Sequence, residues 1–279
     1  MYAEVIGDPI GHSKSPLIHR HWLHRIGLGA DFCATHVPPE RLPAFLAGRR
    51  ADPVWRGCNV TIPHKVEVIP LLDQVDDGAA QIGAVNCIIP GPHGLTGRNT
   101  DLDGIAAALA GTTIDGRKVA LIGAGGAARA ALRYFVDQGA ASIHLIVRDP
   151  EKAKAPRDAF GNVVELHHVD RPDAALNDAA VIVNASPLGM SGAPPMPPAL
   201  LTAIASHASD ATVMDMVYKP IETEFLAIAR AHGGRCVDGL QMLIGQARAA
   251  FEMFFGDPAP PGDDELRNLL VTPSPSHKA

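Results

Sequence analysis

The chain has 279 residues, and at roughly 100–200 residues per domain the expectation is two domains. Hydrophobic residues make up 47% and charged residues 19%, enough buried apolar surface to offset the entropy of ordering, which excludes a disordered chain. With 24 Lys and Arg against 30 Asp and Glu the formal charge is -6, and no basic run could neutralise a row of phosphates; nucleic acid and anionic membrane are not expected partners.

Short apolar runs alternate with amphipathic ones from the first residues. The pattern predicts strands over Tyr2–Ile6, Phe32–His36 and Trp55–Val60, with helices over Pro16–Gly27, near Pro39–Ala47 and beginning beside Pro63 and His64. Strands follow at Ala84–Ile89 and Gly94–Arg98, turning at Pro90-Gly91-Pro92, then a helix near Leu102–Ala110. Gly111–Lys118 reads as a linker. Beyond it come strand Val119–Ile122, helix Ala127–Gln138, strand Ser142–Val147, a further helix, and strands near Val163–Val169 and Ala180–Val183. That is a run of βαβ units, the pattern of a doubly wound parallel sheet with ligands at the carboxyl ends of its strands. The Pro-rich Ser191–Pro198 reads as a surface loop. A strand at Val213–Met216, a helix at Glu222–His232 and a long helix at Gly239–Phe255 complete the pattern, and the tail after Val271 is expected to be loose. The fold class is therefore α/β with two domains. Residues 1–102, completed by 239–271, form an α/β substrate domain, and 103–238 a Rossmann-like dinucleotide domain.

KVALIGAGGAARAA puts Gly123, Gly125 and Ala128 in a G-x-G-x-x-G/A pattern, directly after a strand and before a helix. The first Gly permits a tight turn, the second lets backbone N–H groups approach a pyrophosphate, and the small third residue allows close packing at the helix N-terminus. A tight turn with no ligand is the bland alternative, and the flanking strand and helix argue against it. The next strand ends in Val147, Arg148 and Asp149, about 20 residues on, where an adenosine ribose is read. Asp149 suits the 2′-hydroxyl of NAD, whereas Arg148 with Lys152 suits the 2′-phosphate of NADP.

Five polar segments interrupt the apolar pattern: GHSKSP from Gly11, NVTIPHK from Asn59, GAVN from Gly83, NTD from Asn99, and Gly245-Gln246. Converging on one edge of an α/β domain, their hydroxyls, amides, Lys and Asp suit a small polyhydroxylated anion. Taken singly, Ser13 and Asn59 read equally well as cap and turn residues.

In this order, GHSKSPLIH, NVTIPHK, IGAVN, NTDLDG, GAGGAA, NASPLGM, DMVYKP and DGLQMLIGQ resemble the shikimate dehydrogenase family over nearly the whole chain. The resemblance implies reduction of 3-dehydroshikimate to shikimate with NADPH in aromatic amino-acid biosynthesis. It implies that Lys65 and Asp101 are the catalytic pair, that Ser13 and Ser15 bind the substrate carboxylate, and that Thr61, Asn86 and Gln246 contact its hydroxyls and ring edge. Asn59 supports that site, and Tyr218 adds a substrate contact. For the cofactor it implies the loop Gly123, Ala124, Gly125, Gly126 and Ala127. It adds Asn184, Ala185 and Ser186 near the ribose and diphosphate, and Met216, Gly239 and Met242 near the nicotinamide.

The chain departs from the family where Val147, Arg148 and Asp149 replace Asn-Arg-Thr and Lys152 replaces a second Arg, which leaves NAD(H) as an alternative to NADP(H). Arg20 and the Ser186-Pro187 pair are further departures. NAD-dependent oxidation of quinate or shikimate is thus a rival reading, and a non-catalytic sensor of dinucleotide or shikimate is another. A Ser-His-Asp hydrolase lacks its G-x-S-x-G elbow. No metal site is expected, since His19, His21 and His24 lack the i, i+4 spacing of paired helical ligands. Four scattered cysteines, without a CxxC pair, and the absence of a signal-peptide pattern point to the cytoplasm, with a monomer or homodimer expected.

Overall fold

The structure, a computed structural model, describes residues 1–261 and 264–272. The tail expected to be loose lies, from Pro273 on, outside them. The chain divides into two compact units, Met1–Thr100 with the chain from Gln246 onward, and Asp101–Gly245.

The first unit contains β1 (Tyr2–Gly7), β2 (Asp31–His36), β3 (Trp55–Val60), β4 (Gln74–Val75), β5 (Cys87–Gly91) and β6 (Gly94–Arg98) in the order β2-β1-β3-β5-β6-β4. β1 pairs in parallel with β2 and β3, whereas β5 runs antiparallel to β3 and β6, so the sheet is mixed. Its helices are α1 (Ser15–Ile26), α2 (Leu42–Arg50), α3 (His64–Glu67) and α4 (Asp77–Ile82). α1 opens with Pro in its first turn and ends on Gly27 at φ 66, a left-handed position that glycine takes without steric cost. β1 carries a fully buried carboxylate, Glu4. Arg49 Nε (2.7 Å), Trp55 Nε1 (2.8 Å) and Thr35 Oγ1 (2.5 Å) all donate to it, which offsets the cost of burying the charge.

The second unit contains α5 (Asp101–Ala108), β7 (Lys118–Ile122), α6 (Gly126–Asp137), β8 (Ser142–Val147), α7 (Lys154–Asp158), β9 (Val164–His168), α8 (Asp173–Leu176), β10 (Val181–Asn184), α9 (Pro198–His207), β11 (Thr212–Asp215), α10 (Glu224–Ala231) and β12 (Arg235–Val237). Its strands are all parallel, in the order β12-β11-β10-β7-β8-β9, a doubly wound sheet. Central strands such as VALI and VIV are buried along their length, as sheets covered on both faces require. α11 (Gly239–Phe255) crosses from the second unit to the first at Gly245 and Gln246, and α12 (Asp264–Val271) packs on α1. Residues 239–245 therefore group with the nucleotide unit, where the sequence reading assigned them to the first. Gly239 packs under the Met216 and Val217 carbonyls, and Gly245 lies against Gly104 and Ala107.

Two further local readings change. The strand expected at Ala84–Ile89 begins at Cys87, because Val85 N donates instead to Lys65 O (2.7 Å), and it continues through Gly91. The single helix expected near Pro39–Ala47 is a 3-10 turn at Pro39–Arg41 followed by α2. Among the described residues no helix is long and apolar enough to cross a membrane, and all four cysteines are free.

Candidate active site

In the first unit the polar segments gather around the carboxyl ends of β1 and β3. Gly7 is fixed as glycine by close approach: a Cβ there would lie 2.6 Å from Thr61 Cγ2 and 2.9 Å from Ile62 O. Thr61 N donates to Ile6 O (3.0 Å) and Asp8 N to Ile62 O (3.1 Å), stitching the NVTIPHK loop to the end of β1. Ser13 and Ser15 open α1, where the Ser15 N–H donates to Ser13 Oγ at 3.3 Å; Ser15 is buried and Ser13 half-buried. Backbone and hydroxyl donors at a helix start suit a carboxylate.

A buried chain of amides and hydroxyls runs beside them. Asn59 Nδ2 donates to Asn86 O (3.4 Å), Asn86 Nδ2 to Thr100 Oγ1 (3.1 Å), Thr100 N to Asn86 Oδ1 (2.7 Å), and Thr100 Oγ1 to Gln246 Oε1 (3.4 Å). Asn59 Oδ1 is buried without a protein partner, an acceptor that a ligand hydroxyl could satisfy. Lys65 is half-buried on the one-turn helix α3, its backbone tied to the GAVN segment through Val85. Next to it, His64 is fully buried and donates Nε2–H to Val37 O (2.6 Å), which fixes the turn that carries Lys65. Thr100, fully buried between Asn86 and Gln246, joins the set although sequence reading singled out only its neighbours; its signal was the intact NTD segment.

In the second unit, Asp101 heads α5 and is buried, with a carboxylate in the first turn that suits the helix dipole. β7 leads into Gly123 at φ +107, where a Cβ would meet the Ala185 backbone and Ser186 Cβ at 3.1 Å. The loop then opens: a Cβ on Gly125, the residue before α6, would meet nothing within 4 Å. Ala124, Gly126 and Ala127 share this loop and first turn, where helix N–H groups lack intrahelical acceptors, and buried Ala128 lets α6 pack closely. An uncovered glycine before a row of helix N–H donors is an arrangement that suits a pyrophosphate.

At the end of β8, Val147 is buried while Arg148, Asp149 and Lys152 are exposed. Asp149 Oδ1 accepts from Lys152 N (3.3 Å) and its Oδ2 pairs with Lys152 Nζ (3.3 Å), which holds the carboxyl below its ordinary range and charged. Among the described residues Arg148 makes no ion pair. The acid that favoured NAD is thus matched by Lys152, and Arg148 is left as net positive charge at the end of β8.

Asn184 is fully buried and its amide is committed to protein. Nδ2 donates to Leu188 O (3.1 Å) and Asp215 Oδ1 (2.9 Å), and Oδ1 accepts from Ser186 N (3.1 Å) and Ser186 Oγ (2.7 Å). It shapes the turn that presents half-buried Ala185 and Ser186 rather than offering a free amide to a ligand. Asp215, the first residue of the DMVYKP segment and given no role by the sequence, anchors this group by accepting from Val217 N (2.9 Å) and Thr223 Oγ1 (2.6 Å) as well. Burial pushes its carboxyl up to about 6, opposed by the donors Thr223, Val217 and Asn184. Half-buried Met216 and Tyr218 follow Asp215, and buried Gly239 and Met242 lie at the start of α11.

Three family models match the chain: the shikimate dehydrogenase substrate binding domain over residues 5–88, shikimate / quinate 5-dehydrogenase over 105–188, and the shikimate 5′-dehydrogenase C-terminal domain over 239–263. The chain is 48% identical over 275 residues to shikimate dehydrogenase (NADP+) of Sphingopyxis alaskensis, covering 97% of each. The chain belongs to the shikimate dehydrogenase family. Among solved structures it resembles shikimate 5-dehydrogenase of Thermus thermophilus, in complex with NADP(H) and shikimate, with TM-score 0.82 and 30% identity over 97% of this chain and 98% of that one. It also resembles shikimate 5-dehydrogenase of Listeria monocytogenes, in complex with shikimate and NAD, with TM-score 0.84 and 29% identity over 96% of each.

Proposed function

We infer that the chain catalyses the reversible, NADPH-dependent reduction of 3-dehydroshikimate to shikimate in aromatic amino-acid biosynthesis, a role that belongs to the cytoplasm for a monomer or homodimer. The observation that carries this reading is the buried chain Asn59–Asn86–Thr100–Gln246 with its unpartnered Asn59 Oδ1, in a chain whose other unit has the strand, glycine loop and helix of a dinucleotide site. Four free cysteines suit a reducing compartment.

When bound, the nicotinamide supplies or takes up the hydride at the ring carbon that carries the reacting oxygen. The chain's own residues do the rest. Ser13 and Ser15 receive the substrate carboxylate, and Asn59, Thr61, Asn86 and Gln246 exchange hydrogen bonds with its hydroxyls, orienting the ring. Lys65 donates a proton to the developing alkoxide during reduction and accepts it back during oxidation, with Asp101 as the second member of the catalytic pair. Tyr218 adds a substrate contact. The N–H groups at the start of α6 hold the diphosphate, with Ala185 and Ser186 beside it, Met216, Gly239 and Met242 line the nicotinamide side, and Arg148 meets the 2′-phosphate.

An assay of purified protein with shikimate or quinate against NADP or NAD tests the reading. Turnover with shikimate and NADP supports it. Clear preference for quinate and NAD would transfer the ribose role to Asp149, and binding of both ligands without turnover in any pairing would make the chain a sensor.

A further inference from the structure

β8 and β9 are neighbours at one edge of the second sheet, in a register that sets His144 opposite Glu165 and Ile146 opposite His167. Residues two apart on a strand share a face, as do residues opposite each other on adjacent strands, so His144, Glu165 and His167 come to one face. It is the face on which Ile146 packs with Ala175 and Leu176 of α8. His144 Nδ1 lies 2.8 Å from His167 Nε2, and Glu165 Oε2 lies 3.8 Å from the first and 3.9 Å from the second. The proposed reaction uses none of these residues.

We propose that His144, Glu165 and His167 form a binding site for a divalent transition-metal ion such as Zn²⁺. Two imidazoles and a carboxylate are the donor set that borderline cations take in preference to Mg²⁺ or Ca²⁺. Ligands about 2.0–2.2 Å from a tetrahedral ion stand about 3.3 Å from one another, so the observed triangle needs only a small opening between the rings and a small inward turn of Glu165. That turn is cheap, because the Glu165 side chain is 61% exposed whereas the rings are held in the sheet at 11% and 18%. Ser142 Oγ lies 3.2 Å from His144 Nε2, the outer partner that orients a ligating imidazole and leaves Nδ1 facing the ion. On binding, the hydrogen held between the two facing nitrogens moves to the far nitrogen of its own ring, so both imidazoles ligate neutral, and water fills the remaining position on the open side. Lys118, whose charge reaches both rings, is tied to Ala174 O at 2.7 Å, and Glu165 supplies the countercharge. A bound ion joins edge strand β9 to β8 and so stabilises the second unit.

The test uses chelator-treated full-length protein without substrate or nucleotide. Co²⁺ titration followed by its visible absorption bands, and Zn²⁺ titration followed by calorimetry and by the thermal midpoint, should give one equivalent bound and a raised midpoint. Mg²⁺ at the same concentration should give neither. Glu165→Gln and His167→Gln should each weaken binding at least about tenfold. If His167→Gln does not fold, Glu165→Gln decides alone, since its exposed side chain can change without disturbing packing. Zn²⁺ binding of equal strength in wild type and Glu165→Gln, an equal Mg²⁺ response, or no binding to wild type overturns the site. None of these readouts depends on the dehydrogenase reaction.

Discussion

The two units present their ligand groups by opposite means. The first uses side chains: a buried series of amides and hydroxyls whose members hold one another, with one carbonyl oxygen left over. The second uses backbone: N–H groups at the start of α6, exposed because Gly125 carries no Cβ and Gly123 adopts a conformation that other residues rarely take. A side-chain site is broken by removing atoms, and a backbone site by adding them.

Lys65→Ala is the largest break available in the first unit. It removes a proton donor needed at the transition state, so kcat should fall about 10²- to 10⁴-fold while KM for shikimate changes little. Steady-state kinetics check this, and a variant within a few-fold of wild type would falsify the assignment. The matching break in the second unit is Gly125→Val. Its Cβ meets no protein atom within 4 Å and the native φ of -77 suits any residue, so the fold should be kept. The added methyls stand where the diphosphate approaches, and NADP(H) affinity should drop by about two orders of magnitude, the loss of one or two charge-assisted hydrogen bonds. Fluorescence titration against an unchanged melting midpoint distinguishes this from unfolding; Gly123→Val should fail both measurements, because φ +107 is strained for a β-branched residue.

The same division explains what the sequence made legible. The parallel strands of the second unit stood out because strands covered on both faces read as unbroken apolar runs, and β8 lies where Ser142–Val147 was expected. α9 carries little signal because PALLTAIASH follows a Pro-rich stretch and has only Thr202 and Ser206 as exposed polar residues to mark a 3.6-residue period. β4 and β12, of two and three residues, are too short for any periodicity, and α4 is signalled only by its Asp76 cap, which accepts from Ala79 N. Motif residues such as Ser13, Lys65 and Gly125 were legible because chemistry sits in local strings. The roles of Thr100, Asp215 and the His144–His167 pair were not, since Thr100 meets Asn86 and Gln246, Asp215 meets Asn184 and His144 meets His167 across 14 to 146 residues, and only the folded chain brings them together.

Arg148→Ser sharpens the comparison with a smaller effect, by testing a place where nucleotide binding in the second unit relies on a side chain rather than on backbone. Losing a guanidinium that meets a 2′-phosphate costs about 1.5–3 kcal/mol, so KM for NADPH should rise about ten- to a hundredfold while that for NADH stays nearly constant. Equal changes for both nucleotides would remove Arg148 from the ribose site.

Acid separates the units by stability. His19 in the first unit is fully buried, stacked on Phe32 at 4.0 Å, and neither ring nitrogen has a partner; burial pushes its pKa down to about 3 from an ordinary 6.5. The unfolded chain therefore binds more protons between those values. Stability from this residue is complete above pH 6.5 and falls as pH drops toward 3, by about 1.4 kcal/mol per pH unit. In the second unit the shifted groups oppose one another, with His167, lowered by burial, acting in the same direction as His144. Asp215, raised to about 6 from 3.8, favours folding as pH falls through 6, while His144, lowered to about 4, disfavours it. Both tryptophans, Trp22 and Trp55, lie in the first unit, so their fluorescence reports its unfolding alone. Urea titrations should show about 2 kcal/mol lost between pH 7 and pH 5. His19→Leu keeps an apolar side chain against Phe32 without a proton to gain, and it should flatten that loss; an unchanged slope would assign the acid sensitivity to other residues of the first unit.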